Sequence, residues 1–299
     1  MKDVQVLYAL QIMKTYISNW EIKMKVCICC IGRMENRYIN EYIDYYLNLG
    51  VDKIFIYDNN YDGEEYFEDV IPNELLDDKI EIINFRNLSN CQMMAYQDCY
   101  DKHNKEYDWM LFIDCGDEYL YMEGYDNIKD FLKQEKFNGY ELIHINLMNY
   151  GDCNKVVYEN KPLKERFPTP ILPLNWKKNL TVCENDHISS IVRGGSNKVA
   201  WVATPHTPHG DLKCCDANGN YCHPHSPFLP FDYTSAHFKH YTTKTLEEWI
   251  NIKVKRGFPD GNKDYFKKVN PIKEFFKSNE ITDEKINYLK NIGLDYLLN

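Results

Sequence analysis

The residues best placed to do chemistry lie in WMLFIDCGDEYL, residues 109–120, where an apolar run ends abruptly in Asp114, Asp117 and Glu118. Trp109 to Ile113 reads as a buried strand of about five residues. Acids at or just past the carboxyl end of such a strand have a physical use. Ligands of open α/β sheets bind at that end. Carboxylates are also hard oxygen ligands, and a divalent cation held by one or two of them can hold a substrate's phosphates. The same string would serve as a solvated acidic turn, so the rest of the chain must decide between the two.

The secondary structure around these acids is legible. KVCICCI (25–31) reads as a first buried strand. RYINEYIDYYLNL (37–49) reads as a helix, with Tyr38, Ile39, Tyr42, Ile43, Tyr46 and Leu47 at three-and-four spacing and Gly50 as its C-terminal cap. VDKIFIY (51–57) is a second strand, ending in Asp58, Asn59 and Asn60. Together these form a βαβ unit with parallel strands and a right-handed crossover. A short strand over 79–85 and a helix over 91–104 precede the strand at 109–113. Such alternation is a nucleotide-binding architecture in the broad sense. No G-x-G-x-x-G follows the first strand and no Walker A motif is present, which argues against dinucleotide and P-loop modes.

After residue 120 the pattern loosens. A helix is expected over 126–136, a strand over 140–147 and Pro-bearing, acceptor-side loops over 149–179. HISSIVR (187–193) and KVAWVAT (198–204) are predicted to pair with each other across Gly194 and Gly195. Residues 205–230 carry no core pattern, and helices are expected over 244–256 and 271–298. The expected organisation is an N-terminal helix over 1–23, a main domain over 24–258 and a C-terminal helical segment over 259–299. The main domain divides into a nucleotide-binding half (24–120) and an acceptor half (121–258).

Composition bounds the function. The 299 residues are 44 % apolar, enough for the core of one large α/β domain. A net charge of −10 argues against nonspecific nucleic-acid binding and against a broadly basic membrane face. Peripheral membrane contact is left to the N-terminal segment, whose apolar residues recur at helical spacing. No apolar run reaches the roughly 18–20 residues that span a bilayer, and the N-terminus lacks a signal-peptide pattern. Eleven Cys, an odd number, then point to free thiols in a reducing cytoplasm.

A second chemistry-bearing segment lies between 206 and 240. It holds His206, His209, His223, His225, His237 and His240, interspersed with Cys214, Cys215 and Cys222. Clustered His and Cys raise a structural zinc, although the spacing matches neither a C-x-x-C pair nor a finger. One or two of these His could instead face the acidic turn.

At this point the chain resembles a known family. VCICCIGRMENRYINEYIDYYLNLGVDKIFIYDNN (26–60), NCQMMAYQDCY with Gln92, Tyr96, Asp98 and Cys99, and WMLFIDCGDEYL are similar to blocks of the family 92 glycosyltransferases. They are also similar to the related bacterial enzymes of polysaccharide and lipopolysaccharide synthesis. NYGDCNKVVYENKPLKERF (149–167) and HYTTKTLEEWINIKVKRG (240–257) resemble the later blocks, so the likeness runs from about 25 to 258. It implies an α/β fold of GT-A type, with a mostly parallel sheet flanked by helices. It further implies a UDP-sugar donor, Mn²⁺ or Mg²⁺, and transfer of a hexose, often galactose, with inversion to a glycan or lipid-linked glycan acceptor. The expected place of action is the cytoplasm or the inner face of the membrane. The chemistry is coherent: a departing diphosphate needs its developing charge neutralised, and an acceptor hydroxyl needs a base on the opposite face of the sugar.

The resemblance also implies roles for residues. Asp114 would contact the ribose or the metal, Asp117 would ligate the metal, and His240 would be a further ligand. The family motif Asp-x-Asp-Glu is one residue shorter than Asp114-Cys115-Gly116-Asp117-Glu118. Strand side chains alternate faces, so Gly116 must absorb the difference as a bulge or turn. That leaves open whether Asp114 or Glu118 shares the metal with Asp117. Glu35, Asp58, Asn60 and Gln92 would meet the nucleotide, and Lys244 and Arg256 the diphosphate, with Lys253 read as part of a solvated basic face. Glu165 is the expected catalytic base, with Asp152 and Asp211 as competitors. Two other readings stay open. One is a non-catalytic nucleotide-sugar-binding protein of the same fold; the other is a zinc-dependent hydrolase using His206 or His209.

Overall fold

A computed structural model describes residues 23–171, 187–202, 204, 206–257 and 265–298. The helix expected over 1–23, and with it the expected membrane contact, lies outside the described residues but for Lys23.

Four parallel strands form the heart of the chain: β1 (Val26–Gly32), β2 (Lys53–Asp58), β3 (Ile80–Asn84) and β4 (Trp109–Phe112). Their spatial order is β3-β2-β1-β4. The chain first winds outward from β1 and then returns to its other side at β4, which makes the ends of β1 and β4 a topological switch point. Alternation along the strands builds two cores. Val26, Ile28, Cys30, Ile54, Ile56, Trp109 and Leu111 face one layer. Cys27, Cys29, Ile31, Phe55, Tyr57, Met110 and Phe112 face the other. Helix α1 (Asn36–Asn48) covers the first layer with Tyr38, Ile39, Tyr42, Ile43 and Tyr46. Helix α2 (Gln92–His103) covers the second with Ala95, Tyr96, Cys99 and Tyr100. Strands buried on both faces read as continuous apolar runs, which is why they were visible in the sequence. Gly50 ends α1 with φ +92°, and the Val51 N–H donates to the Tyr46 carbonyl.

The second half extends the sheet through β5 (Glu118–Met122), β6 (Leu142–Asn149) and β7 (Ile188–Arg193). It continues in β8 (Val199–Val202), β9 (Pro208–Gly210), β10 (Cys214–Asp216), β11 (Tyr221–Cys222) and β12 (Ala236–His240). The main sheet runs β11-β10-β6-β7-β4-β1-β2-β3, with β12 pairing both β5 and β6. It is the helix-flanked α/β sheet expected, parallel in its first half and mixed in its second.

Three expectations are corrected. The strands at 187–193 and 198–204 do not form a hairpin: both edges of β7 are taken by β4 and β6, and β8 pairs with β9 in a separate two-stranded sheet. Gly194 serves close approach instead, since a Cβ there would lie 1.8 Å from the Tyr107 carbonyl oxygen. The helix expected over 271–298 is two, Pro271–Ser278 and Asp283–Asn291, broken between Asn279 and Thr282. Residues 205–230, read as coreless, contribute β9, β10 and β11 and bury Leu212, Cys214, Cys215 and Cys222. The C-terminal segment packs through Ile272, Phe275 and Leu289 onto Leu246 and Trp249, forming a third apolar cluster.

Candidate functional site

The apolar run of β4 stops at Phe112, and the chain turns through Cys115–Asp117 straight into β5. Gly116 makes this turn with φ +73°. The extra residue between the acids is therefore absorbed by a tight turn rather than a bulge. The consequence is that Asp114 and Glu118, on either side of the turn, come together, and Asp117 points elsewhere.

Register supplies the third member. His240 pairs with Glu118 across the antiparallel β5/β12 ladder and with Asn149 across β6. Ligand atoms of Asp114, Glu118 and His240 all lie within 4.8 Å of one another. Burial, and next the charge of Asp117, raise the Asp114 pKa; burial, and next the charge of Asp114, push Glu118 well above the usual carboxylate range. Two carboxylates this close, one fully buried and one half-buried, favour shared positive charge. Burial lowers the His240 pKa to about 3, so its ring is neutral at physiological pH. Its Nδ1 lies 2.8 Å from the Asn149 Oδ1, an acceptor, and so carries the proton. Nε2 is left buried with no hydrogen-bond partner among the described residues. An oriented, neutral imidazole beside two hard carboxylates is a donor set that fits Mn²⁺ or Mg²⁺.

Asp117 faces a cluster of cations. Its carboxylate pairs with Lys244, and lies 3.6 Å from Lys253 and 3.8 Å from Arg256. Burial would raise its pKa, but these three cations outweigh it and hold the carboxyl well below the usual range. Glu35, also buried, pairs with Arg256 and with Lys244 at 3.4 Å. Lys253 and Arg256 come from a helical run that begins at Leu246–Glu248 and continues as a π-helical stretch, Trp249–Val254. Such stretches are frequent at functional sites. Lys244 precedes the run with φ +53°, a conformation that costs free energy in a non-Gly residue. Three cations thus meet two carboxylates. Burial, and repulsion from Arg256 and Lys244, depress the Lys253 pKa despite Asp117. An anion brought into this cluster would relieve it.

Two cavities meet at the acids. The inner one, about 280 Å³, is lined by Gly32, Asn59, Gln92, Asp117 and Arg256 among others. The outer one, about 310 Å³, is lined by Glu118, Asn149, His187, Trp249, Phe266 and Glu274 among others. Asp114, His206, His240, Thr242 and Lys253 line both. The inner cavity opens beyond the ends of β1 and β4, at the switch point.

Of the residues singled out in the sequence, Asp114, Asp117, Glu118, Gln92, His206, His240 and Arg256 line the cavities. Lys253, read as a solvated face, is in the site, and its spacing of three from Arg256 on one helix could have revealed it. Lys244 and Glu35 line neither cavity and hold the site's charged residues from behind. Asp58 and Asn60 are fully buried and mutually engaged: Asp58 accepts from Arg86 Nε at 3.0 Å and from Asn60 Nδ2 at 2.8 Å. The intervening Asn59 lines the inner cavity in their place. Glu165 is exposed and lines neither cavity, because it lies on the outer face of the short helix Leu163–Arg166. Asp152 is buried against Lys285, and Asp211 is exposed. Among the described residues, the carboxylates lining the cavities are Asp114, Asp117, Glu118 and Glu274, the last carried by a segment that sequence reading left without chemistry. His209 is exposed and stacks on Trp201 and His225, which removes it from the hydrolase reading.

Comparison with known proteins agrees with the resemblance. Residues 22–291 match the model of glycosyltransferase family 92. A family 92 protein of Oryza sativa subsp. japonica is 28 % identical over 128 residues, covering 40 % of this chain and 20 % of its own length. One from Ricinus communis is 29 % identical over 116 residues, covering 38 % and 20 % respectively. These matches span about a fifth of each relative. Among solved structures, residues 1–349 of S. aureus TarS in complex with UDP align with a TM-score of 0.33 and 12 % identity, over 46 % of this chain and 38 % of that one.

Proposed function

The chain belongs to glycosyltransferase family 92, and from that premise we propose that it transfers a hexose, galactose favoured, from a UDP-sugar to a glycan or lipid-linked glycan, with inversion. The setting proposed is cell-surface polysaccharide or lipopolysaccharide synthesis at the cytoplasmic side of a membrane. The observation that carries the reading is the meeting of an acid–imidazole triad and a cation cluster at the junction of two cavities, at the switch point of the sheet.

The nucleotide is assigned to the inner cavity, with Asn59 and Gln92 at its wall and the diphosphate against Lys253 and Arg256. Arg256 suits this role, since its fork-shaped guanidinium binds phosphate oxygens in pairs and its Nε is buried without a partner among the described residues. Asp114, Glu118 and His240 would hold Mn²⁺ or Mg²⁺, with Asp117 occupied by its cations instead. Bound there, a divalent cation neutralises charge on a leaving diphosphate. The acceptor is assigned to the outer cavity, and the hydroxyl's proton to Glu274, in place of Glu165 and Asp152. Among the described residues, Glu274 is the lining carboxylate outside the acid and cation clusters. Inversion needs such a base on the face opposite the leaving group.

A thermal-shift panel of UDP- and GDP-sugars, each with and without Mn²⁺, tests the donor site. Saturating ligand stabilises the native state by roughly 2.7 kcal/mol at a hundred times its dissociation constant. UDP-galactose is expected to shift the wild type only with Mn²⁺, and that shift is expected to be lost in Asp114→Asn and Glu118→Gln. No shift with any UDP-sugar, in folded protein, overturns the proposal. The displaced acid spacing favours one alternative, a binding protein that keeps the site without turnover; it predicts the same shift with no UDP release in the presence of glycan acceptors.

A further inference from the structure

Away from the cavities, the edge of the sheet carries a second cluster of metal-ligating side chains. His144 on β6, Cys214 on β10 and Cys222 on β11 are all buried, and their ligand atoms lie within 4.8 Å of one another. Register explains the meeting. Cys214 and Cys222 face each other across the antiparallel β10/β11 pair, and β10 lies parallel to β6 with Asp216 opposite His144. The sequence does not announce it, because His144 is seventy residues from Cys214 and lies outside the His-rich segment.

The hydrogen bonds around His144 fix its tautomer. Ser190 Oγ donates to the His206 carbonyl at 3.3 Å. Having spent its proton there, Ser190 accepts from His144 Nδ1 at 2.9 Å. The proton is therefore on Nδ1, and Nε2 keeps its lone pair. Nε2 is buried and has no hydrogen-bond partner among the described residues. Metal-bound His is held in this way, with the far nitrogen donating to an outer acceptor. The His223 and Pro224 carbonyls also face the ring. The two sulfurs are 3.1 Å apart, well beyond the ~2.05 Å of a disulfide. They are somewhat closer than the roughly 3.8 Å edge of a tetrahedral zinc dithiolate with ~2.3 Å bonds, a gap that a small side-chain rotation closes.

We propose that His144 Nε2, Cys214 Sγ and Cys222 Sγ form a structural zinc site, with the nearby His223 or Pro224 carbonyl, or a water, as the fourth ligand. Two thiolates and an imidazole select zinc over the hard cations suited to the acid triad. Binding exchanges the two thiol protons for the metal, and both are released to solvent. The site answers a structural need. β10 and β11 have three and two residues, and a hairpin that short is marginal by itself. Through Ser190 the same staple reaches the His206 backbone, and His206 lines both cavities.

The test is metal analysis of the purified full chain. One zinc per chain is expected, lost in Cys214→Ser/Cys222→Ser and in His144→Ala, but retained in Asp114→Asn/Glu118→Gln. Cobalt substituted for the zinc should show a sulfur-to-metal charge-transfer band in the near ultraviolet and the intense visible bands of a tetrahedral site. If the cysteine variants do not fold, the wild type still decides: capping its thiols with a mercurial should release the zinc, and zinc uptake by stripped protein should release two protons. Absence of zinc together with failure of stripped protein to bind it, zinc that survives the double cysteine substitution, or a Cys214–Cys222 disulfide in non-reduced peptide maps each overturns the proposal. None of these outcomes bears on the donor site, which is read by Mn²⁺ and UDP-sugars.

Discussion

Asp114 and Asp117 are three residues apart and have opposite electrostatic settings. Asp117 is 1 % exposed and sits against Lys244, itself 6 % exposed. Replacing it by Asn leaves Glu35 as the remaining ion-pair partner of Lys244 and Arg256, and breaking such a buried pair costs about 3–5 kcal/mol. Asp117→Asn is therefore expected to lower the midpoint of urea unfolding by an amount corresponding to that loss, with activity lost as well. Asp114 is the reverse case, a carboxylate made unfavourable by burial and by the charge of Asp117. Asp114→Asn is expected to leave the unfolding midpoint unchanged or raised, while Mn²⁺ affinity in calorimetry falls at least ~10-fold, as for loss of groups that hold a metal. Equal destabilisation by both variants would contradict this division of labour.

Elements hold these residues by strain and by buried charge. The turn between β4 and β5 depends on Gly116, whose φ of +73° disfavours any other residue and whose added Cβ would lie 3.1 Å from Glu35 Oε2. Gly116→Ala is expected to cost about 1–3 kcal/mol and to weaken Mn²⁺ binding, because the turn sets the spacing of Asp114 and Glu118. The start of the Leu246–Val254 helical run is tied to the domain by Glu248, 2 % exposed. Glu248 takes Arg166 Nη1 at 3.0 and 2.9 Å, accepts from Tyr38, and closes a capping box with Thr245. Burial alone would raise the Glu248 pKa; Arg166 and Tyr38 outweigh it and hold it below the usual value. A carboxylate with a depressed folded-state pKa binds fewer protons folded than unfolded. Its contribution is therefore present above the unfolded pKa of about 4.3 and lost as pH falls through the folded one. Wild type should lose stability more steeply than Glu248→Gln as pH is lowered from 5 toward ~3, measured by thermal unfolding; parallel curves would refute the assignment.

At the scale of the molecule, the two cavities are walled by different parts of the chain. None of residues 265–298 lines the inner cavity, whereas Phe266, Glu274 and Ser278 line the outer one. The C-terminal helices are held there by Phe275, fully buried against Trp249. Truncating a buried Phe to Ala costs about 3–5 kcal/mol. Phe275→Ala is expected to raise the KM for acceptor with the KM for UDP-sugar unchanged, read by initial rates under conditions where the variant stays folded. A matching rise for the donor would mean that the segment supports the nucleotide site instead. Among the described residues no helix is long and apolar enough to cross a membrane.

The parallel half of the sheet and the acids at its switch point were legible in the sequence. β1, β2 and β4 are buried on both faces, so they appear as unbroken apolar runs, and α1 has a strong three-and-four pattern. Both are local signals. Which acid joins which partner depends on contacts between distant parts of the chain. Register across β5, β6 and β12 brings His240 to Glu118, a turn at Gly116 rotates Asp117 away, and a helix more than a hundred residues on supplies its cations. The same holds for Glu165, whose exposure depends on how a four-residue helix lies on the surface, and for His144, which meets Cys214 and Cys222 only through strand order. Periodicity records which face of an element is buried; pairing between distant strands leaves no comparable trace in a single sequence, and there the charged site was assembled.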